Sequence, residues 1–234
     1  MADFFPDLLE RFSGDAFLKG VCRKYHYGKG QEAGLRAVAE EMLPLMQREA
    51  FWESRESGSF NGKQKETAGA VYEDVIMSLG SSLDSLQESY HEKEQLSESY
   101  MLEALASELL LMGYGAYNRY VREKRNWHVA RYHFLGSEEN FPLEMMPELL
   151  KRFQYQITCN TAFCIIPKKS VVFVAELTQD EQVQCESICA GCHNMHCPNR
   201  VERDLSRERM LARVADMPLS YGYSRFLGNC KKAG

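Results

Sequence analysis

This chain of 234 residues has no apolar run approaching the roughly 20 residues that a membrane-spanning helix requires. The longest candidate, Cys164 to Leu177, is broken by Pro167-Lys168-Lys169. The N-terminal Met-Ala-Asp-Phe-Phe-Pro lacks the basic and apolar regions of a secretory leader. Positive charge is in deficit: the net charge is −5, so nothing general draws the chain to nucleic acid or to an anionic membrane. Internal repeats, low-complexity tracts, nucleophile triads and acid/base pairs are missing. Lys29-Gly30 and Gly113-x-Gly115 are too short to be nucleotide motifs. These absences predict a soluble, cytoplasmic protein with reduced thiols. They argue against an independent hydrolase, a kinase or a nucleic-acid binder.

Cysteine is plentiful and concentrated. Four of the eight cysteines fall within thirteen residues, as Cys185-x3-Cys189-x2-Cys192-x4-Cys197-Pro198. Thiols this close are gathered around a metal or paired as disulfides. The reducing compartment expected here disfavours disulfides. Four soft sulfur ligands suit an iron–sulfur cluster, [4Fe–4S] first, or structural zinc. One tight loop is unlike the two-knuckle layout of zinc sites, which favours the cluster. Zinc stays open because His193 and His196 can each replace a thiolate. Beside a cluster, the same two histidines would lie in hydrogen-bonding range of its sulfurs and tune its potential.

The rest of the chain reads as one body, residues 1–180, followed by the cysteine-rich segment, 181–234. A helical rhythm runs from Phe4 to Lys24 with a break at Ser13-Gly14, and again from Gln31 to Arg48. Phe51 to Ala68 is loop or hairpin with a strand near its start. Val71 to Gly80 has strand composition, and Ser81 or Ser82 is expected to cap the next helix. The longest helix is expected over Ser97 to Lys124. Tyr100 and Tyr120 fall on its apolar stripe, and Gly113 and Gly115 sit where another element is expected to approach closely. Arg131 to Gly136 reads as irregular, Pro142 to Phe153 as a short helix, and Phe163–Pro167 with Ser170–Ala175 as a β pair turning at Lys168-Lys169. Cys159 and Cys164 read as core thiols. A final exposed helix is expected over Asn199 to Ala215.

Several of these pieces, in order, resemble the reactivation domain of cobalamin-dependent methionine synthase, in the form of its short stand-alone homologues. They are Tyr27-Gly-Lys-Gly-Gln31, the Val75-to-Leu79 strand running into Gly80-Ser-Ser-Leu-Asp84, and Ser99-Tyr-Met-Leu102-Glu-Ala-Leu-Ala106. Arg131-Tyr132, Phe141-Pro142-Leu143-Glu144, Ile166-Pro167-Lys-Lys-Ser170-Val171 and the closing Cys197-Pro198 complete the set. The resemblance implies an α+β fold, a twisted antiparallel sheet with surrounding helices, plus the C-terminal metal loop and helix. It also implies chemistry in which S-adenosylmethionine is presented to oxidised cobalamin while an electron donor reduces the cobalt. The partner would then be a corrinoid protein or a methyltransferase subunit. By this resemblance Arg131, Tyr132, Gly136, Pro167 and Ser170 are the candidate ligand-binding residues. The chain departs from the family at the turn after Arg131, where Tyr132-His-Phe-Leu-Gly136-Ser stands in place of Pro-Gly-Tyr.

Overall fold

The computed structural model describes residues 2–57, 70–153, 157–180 and 182. The cysteine quartet, His193, His196 and the expected C-terminal helix lie outside the described residues.

A five-stranded sheet, every pair antiparallel, forms the centre, in the order β1-β2-β3-β7-β4. Its strands are β1 (Ala2–Asp3), β2 (Phe51–Glu56), β3 (Val71–Ser78), β4 (His128–His133) and β7 (Ser170–Thr178). Alternation along each strand assigns the two faces. Val75 and Met77 of β3, with Phe173, Ala175 and Leu177 of β7, join the larger core. Their neighbours Ile76, Val172 and Val174 join a smaller one on the other face. The molecule is therefore a mixed α/β protein with a sheet packed on both faces.

Five helices build the larger core: α1 (Pro6–Phe12), α2 (Asp15–Lys24), α3 (Glu32–Glu49), α4 (Ser82–Glu92) and α5 (Leu96–Arg125). Ser13-Gly14 separates α1 from α2, as the broken rhythm predicts. α5 is amphipathic over 30 residues and ends where Asn126 turns left-handed, φ 54°. At Gly113 a Cβ would lie 3.0 Å from Met77 Sδ, so this glycine lets α5 press onto β3. Phe173 sits beneath α5 within a nest of rings, its centroid 4.9 Å from Tyr114, 5.4 Å from Tyr132 and 5.7 Å from Tyr117. On the opposite face a 3-10 turn (Leu143–Met145) and α6 (Met146–Lys151) cover the smaller core. β5 (Thr158–Cys159) and β6 (Ile165–Ile166) pair with each other beside it.

Five expectations need correction. Residues 131–133 are not irregular: they belong to β4, which pairs with β7 across a bulge at residue 130 that breaks the alternation. The segments before and after Lys168-Lys169 do not pair with each other. Both edges of β7 are taken by β3 and β4, leaving β6 to pair with β5. Tyr100 and Tyr120 lie at the rim of the α5 stripe and are exposed. Cys159 packs half-buried on the smaller core, but Cys164, on the other side of the hairpin, is exposed. Finally, neither Ser81 nor Ser82 caps α4 with its own side chain.

Candidate ligand site at the polar end of the sheet

The face that carries the smaller core is not apolar throughout. Toward the C-terminal end of β7 the inward positions turn charged. Glu176 on β7 pairs in register with Arg131 on β4 and Tyr72 on β3, and His133 on β4 pairs with Val174. A carboxylate inside the otherwise apolar run Val171–Leu177 requires partners to be buried. Glu176 finds one in His133, whose Nε2 lies 3.2 Å from Glu176 Oε2. The other ring nitrogen, Nδ1, lies 3.0 Å from Glu138 Oε1.

A neutral imidazole has one N–H and so satisfies only one of these carboxylates by donation; a second proton is needed for both. The ring also stacks on Phe141, centroids 4.4 Å apart at 20°, with Tyr72 at 6.1 Å. Residues 134–141 fold back over β4 through Gly136, whose N–H donates to the Phe141 carbonyl at 2.7 Å. Its positive φ of 81° suits glycine, and a Cβ there would come within 3.3 Å of Leu143. The turn at Gly136 thus hands Glu138 and Phe141 to His133. Glu138 also faces Arg131, with Nη2 to Oε2 at 3.9 Å.

The five candidate ligand residues do not share one site. Arg131 and Gly136 belong to the polar end just described. Tyr132 points to the opposite face and is buried in the larger core, its hydroxyl donating to the Tyr114 carbonyl at 3.2 Å. Ser170 opens β7, six residues from Glu176, which is about 20 Å along a strand, and Pro167 lies three residues before it, outside the strand. Ser170 is buried there and its hydroxyl bonds Ser78 Oγ at 2.9 Å. Tyr132 and Ser170 thus stand away from the polar end of the sheet. His133, Glu138 and Glu176, which replace them at the site, were not singled out from the sequence. The available signal was Glu176 itself, a charge inside an apolar strand.

A second polar cluster occupies the same end on the larger-core face. Glu73 accepts from the Tyr117 hydroxyl at 2.8 Å and pairs with Arg125. Burial, and then the charge of Glu73, pushes the Tyr117 hydroxyl well above its ordinary pKa. Nearby on the smaller-core face, the fully buried Asp74 pairs with Arg152. Burial is the largest influence on Asp74 and raises its pKa despite that partner.

Among the described residues no three His, Cys, Asp or Glu side chains converge as a metal site. No helix among them is long and apolar enough to cross a membrane. The donor set that fits a metal is the quartet Cys185, Cys189, Cys192 and Cys197, whose four thiolates suit an iron–sulfur cluster or zinc. Compared with the models of known protein families and with curated proteins, the chain matches none.

Proposed function

We propose that this protein is an iron–sulfur accessory protein of corrinoid chemistry, an electron relay for the reductive reactivation of a corrinoid methyltransferase system. The observation that carries the reading is the thirteen-residue cysteine series ending in Cys-Pro. Returning oxidised cobalt to its reactive state takes a low-potential electron. Thiolate-ligated clusters span roughly −700 to +450 mV, so such a centre can supply it. The mixed α/β body with its antiparallel sheet accords with the methionine synthase activation-domain-like fold that the ordered resemblance implies. The chain leaves β7 at Thr178, two residues beyond Glu176 and seven before Cys185. Arg131 and Glu138, more accessible than the buried His133 and Glu176, are then the groups of that end best placed to meet a corrinoid protein or its cofactor.

The half-buried guanidinium of Arg131 favours a second reading, a reactivase that also binds S-adenosylmethionine through its carboxylate. One experiment addresses both. The dithionite-reduced protein is mixed anaerobically with cob(II)alamin bound to a corrinoid protein, with and without S-adenosylmethionine. The relay reading expects cob(I)alamin to appear without S-adenosylmethionine. Methylcobalamin formed on its addition would support the reactivase. No change in the cobalt spectrum under either condition would count against both.

A further inference from the structure

Residues 134–141 lie as a strap over the polar end of the sheet. Their backbone hydrogen bonds close within the strap: Gly136 N–H to the Phe141 carbonyl at 2.7 Å, Ser137 N–H to the Phe134 carbonyl at 3.0 Å, and Phe141 N–H to the Glu138 carbonyl at 3.1 Å. These bonds fix its shape but not its place. Its place is set by Leu135 and Phe141, which join the smaller core, and by the contact of Glu138 with His133. Glu138 presents both carboxylate oxygens to His133 Nδ1, at 3.0 and 3.2 Å. Nε2 of the same ring faces Glu176 Oε2 at 3.2 Å. His133 is 5% exposed and Glu176 9%, so little water reaches either contact.

An imidazole with one proton donates to one carboxylate and turns a lone pair on the other, where two acceptors repel. An imidazole with two protons donates to both, with the added strength of opposite charge. The charges around the ring run the same way. On this face β2 contributes Glu53 and Arg55, β3 Asp74, β4 Arg131, the strap Glu138 and β7 Glu176, and Arg152 follows α6. Four carboxylates meet three guanidiniums, and a second proton on His133 supplies the missing positive charge. Tyr72 of β3 also faces the ring, centroids 6.1 Å apart. Glu139 of the strap is exposed, and Glu148 and Lys151 of α6 pair with each other in solvent at 3.2 Å.

We propose that His133 is a proton-operated latch on the strap. With both ring nitrogens protonated it ties Glu138 to Glu176 and holds the strap against the sheet. Loss of one proton releases the Glu138 side and uncovers Glu176. Closure takes one proton from solvent and opening returns it, so the strap is held at low pH and loosens as pH rises. Access to the polar end of the sheet is thereby governed by a proton, whatever the cysteine series binds.

Hydrogen exchange of the full chain, followed by mass spectrometry of the peptide spanning residues 134–141, tests the latch. Exchange is expressed as protection relative to an unstructured chain at the same pH, which removes the intrinsic effect of hydroxide. Histidine ordinarily changes charge between roughly pH 5 and pH 8. Across that range strap protection should fall about tenfold or more, while that of α5 stays level. One proton permits at most about a tenfold change per pH unit. In Glu138→Gln the side-chain amide can donate to Nδ1, so a ring with a single proton satisfies both neighbours. This variant should keep its strap protected at the upper end of the range; a strap held by packing alone would be no better protected there than the wild type. Ring-nitrogen chemical shifts of His133 locate the proton, with two N–H groups expected at low pH and one at high pH. Flat strap protection in the wild type, an unchanged pH dependence in Glu138→Gln, or a ring with a single N–H throughout would each overturn the latch.

Discussion

The Glu49 carboxylate, at the end of α3, caps the start of α4 from 33 residues away: the Ser82 N–H donates to Glu49 Oε2 at 2.9 Å, and the Ser82 hydroxyl donates to Oε1. Gly80 makes the approach possible, because a Cβ there would sit 2.4 Å from the Glu49 Cβ. Burial pushes the Glu49 carboxyl up, but hydrogen bonds from Ser82 and then Ser81 outweigh it and leave the group below its ordinary 4.5. A carboxyl lowered by folding stabilises the fold above its unfolded value and loses that contribution as pH falls through the folded one. Glu49→Ala should cost about 1 kcal/mol in denaturant unfolding at pH 7. The difference from wild type should shrink as the pH drops below 4.5. A pH-independent difference would contradict the capping role.

Asp74 is fully buried and depends on Arg152. Removing one partner of a buried pair leaves an uncompensated charge, so Arg152→Met should destabilise by about 3–5 kcal/mol. Adding Asp74→Asn to that variant should restore part of the loss, since the charge goes too. Thermal unfolding of the single and double variants checks this. A double variant no more stable than Arg152→Met would contradict it.

Alkaline stability follows from the tyrosines. Burial, followed by Tyr100 and Cys22, pushes Tyr27 up to about 12, and burial raises Tyr114 and Tyr117 further. A tyrosine raised by folding contributes fully below its unfolded pKa of about 10 and loses that contribution as pH rises through the folded value. Unfolding free energy should therefore fall steadily above pH 10. Tyr117→Phe, which lacks the hydroxyl that Glu73 accepts, should weaken that dependence and cost about 1.5–3 kcal/mol at neutral pH.

Phe173 meets its ring neighbours only because β7 lies directly beneath α5. Phe173→Ala should cost about 3–5 kcal/mol, which denaturant titration would register as a lower midpoint. A loss under about 1 kcal/mol would mean the ring nest contributes little.

What was legible in the sequence was what repeats locally. α1, α2, α3 and α5 each keep an apolar face within their own residues, and β3 is a strand as its composition suggests, ending at Ser78, two residues before Gly80. What was hidden depends on partners far along the chain. The cap of α4 comes from α3, and β4 is a strand because β7 accepts its pairing across a bulge. At the polar end of the sheet stand Arg131 and Gly136, two of the residues the resemblance implies, whereas His133 is held there by Glu176, 43 residues later. Tyr132 and Ser170 stand apart from them for the converse reason. Strand alternation turns Tyr132 away from its neighbour Arg131, and the length of β7 carries Ser170 to the opposite end.

The claim on which the functional account turns is the cysteine quartet's metal. The direct measurement is iron, acid-labile sulfide and zinc in anaerobically purified protein, with its visible spectrum, for wild type and Cys192→Ala. The account expects about four irons and four sulfides per chain with a broad thiolate-to-iron absorption, both lost in the variant. One zinc per chain and no chromophore would contradict it and leave a zinc-pinned interaction module, with no electron to relay.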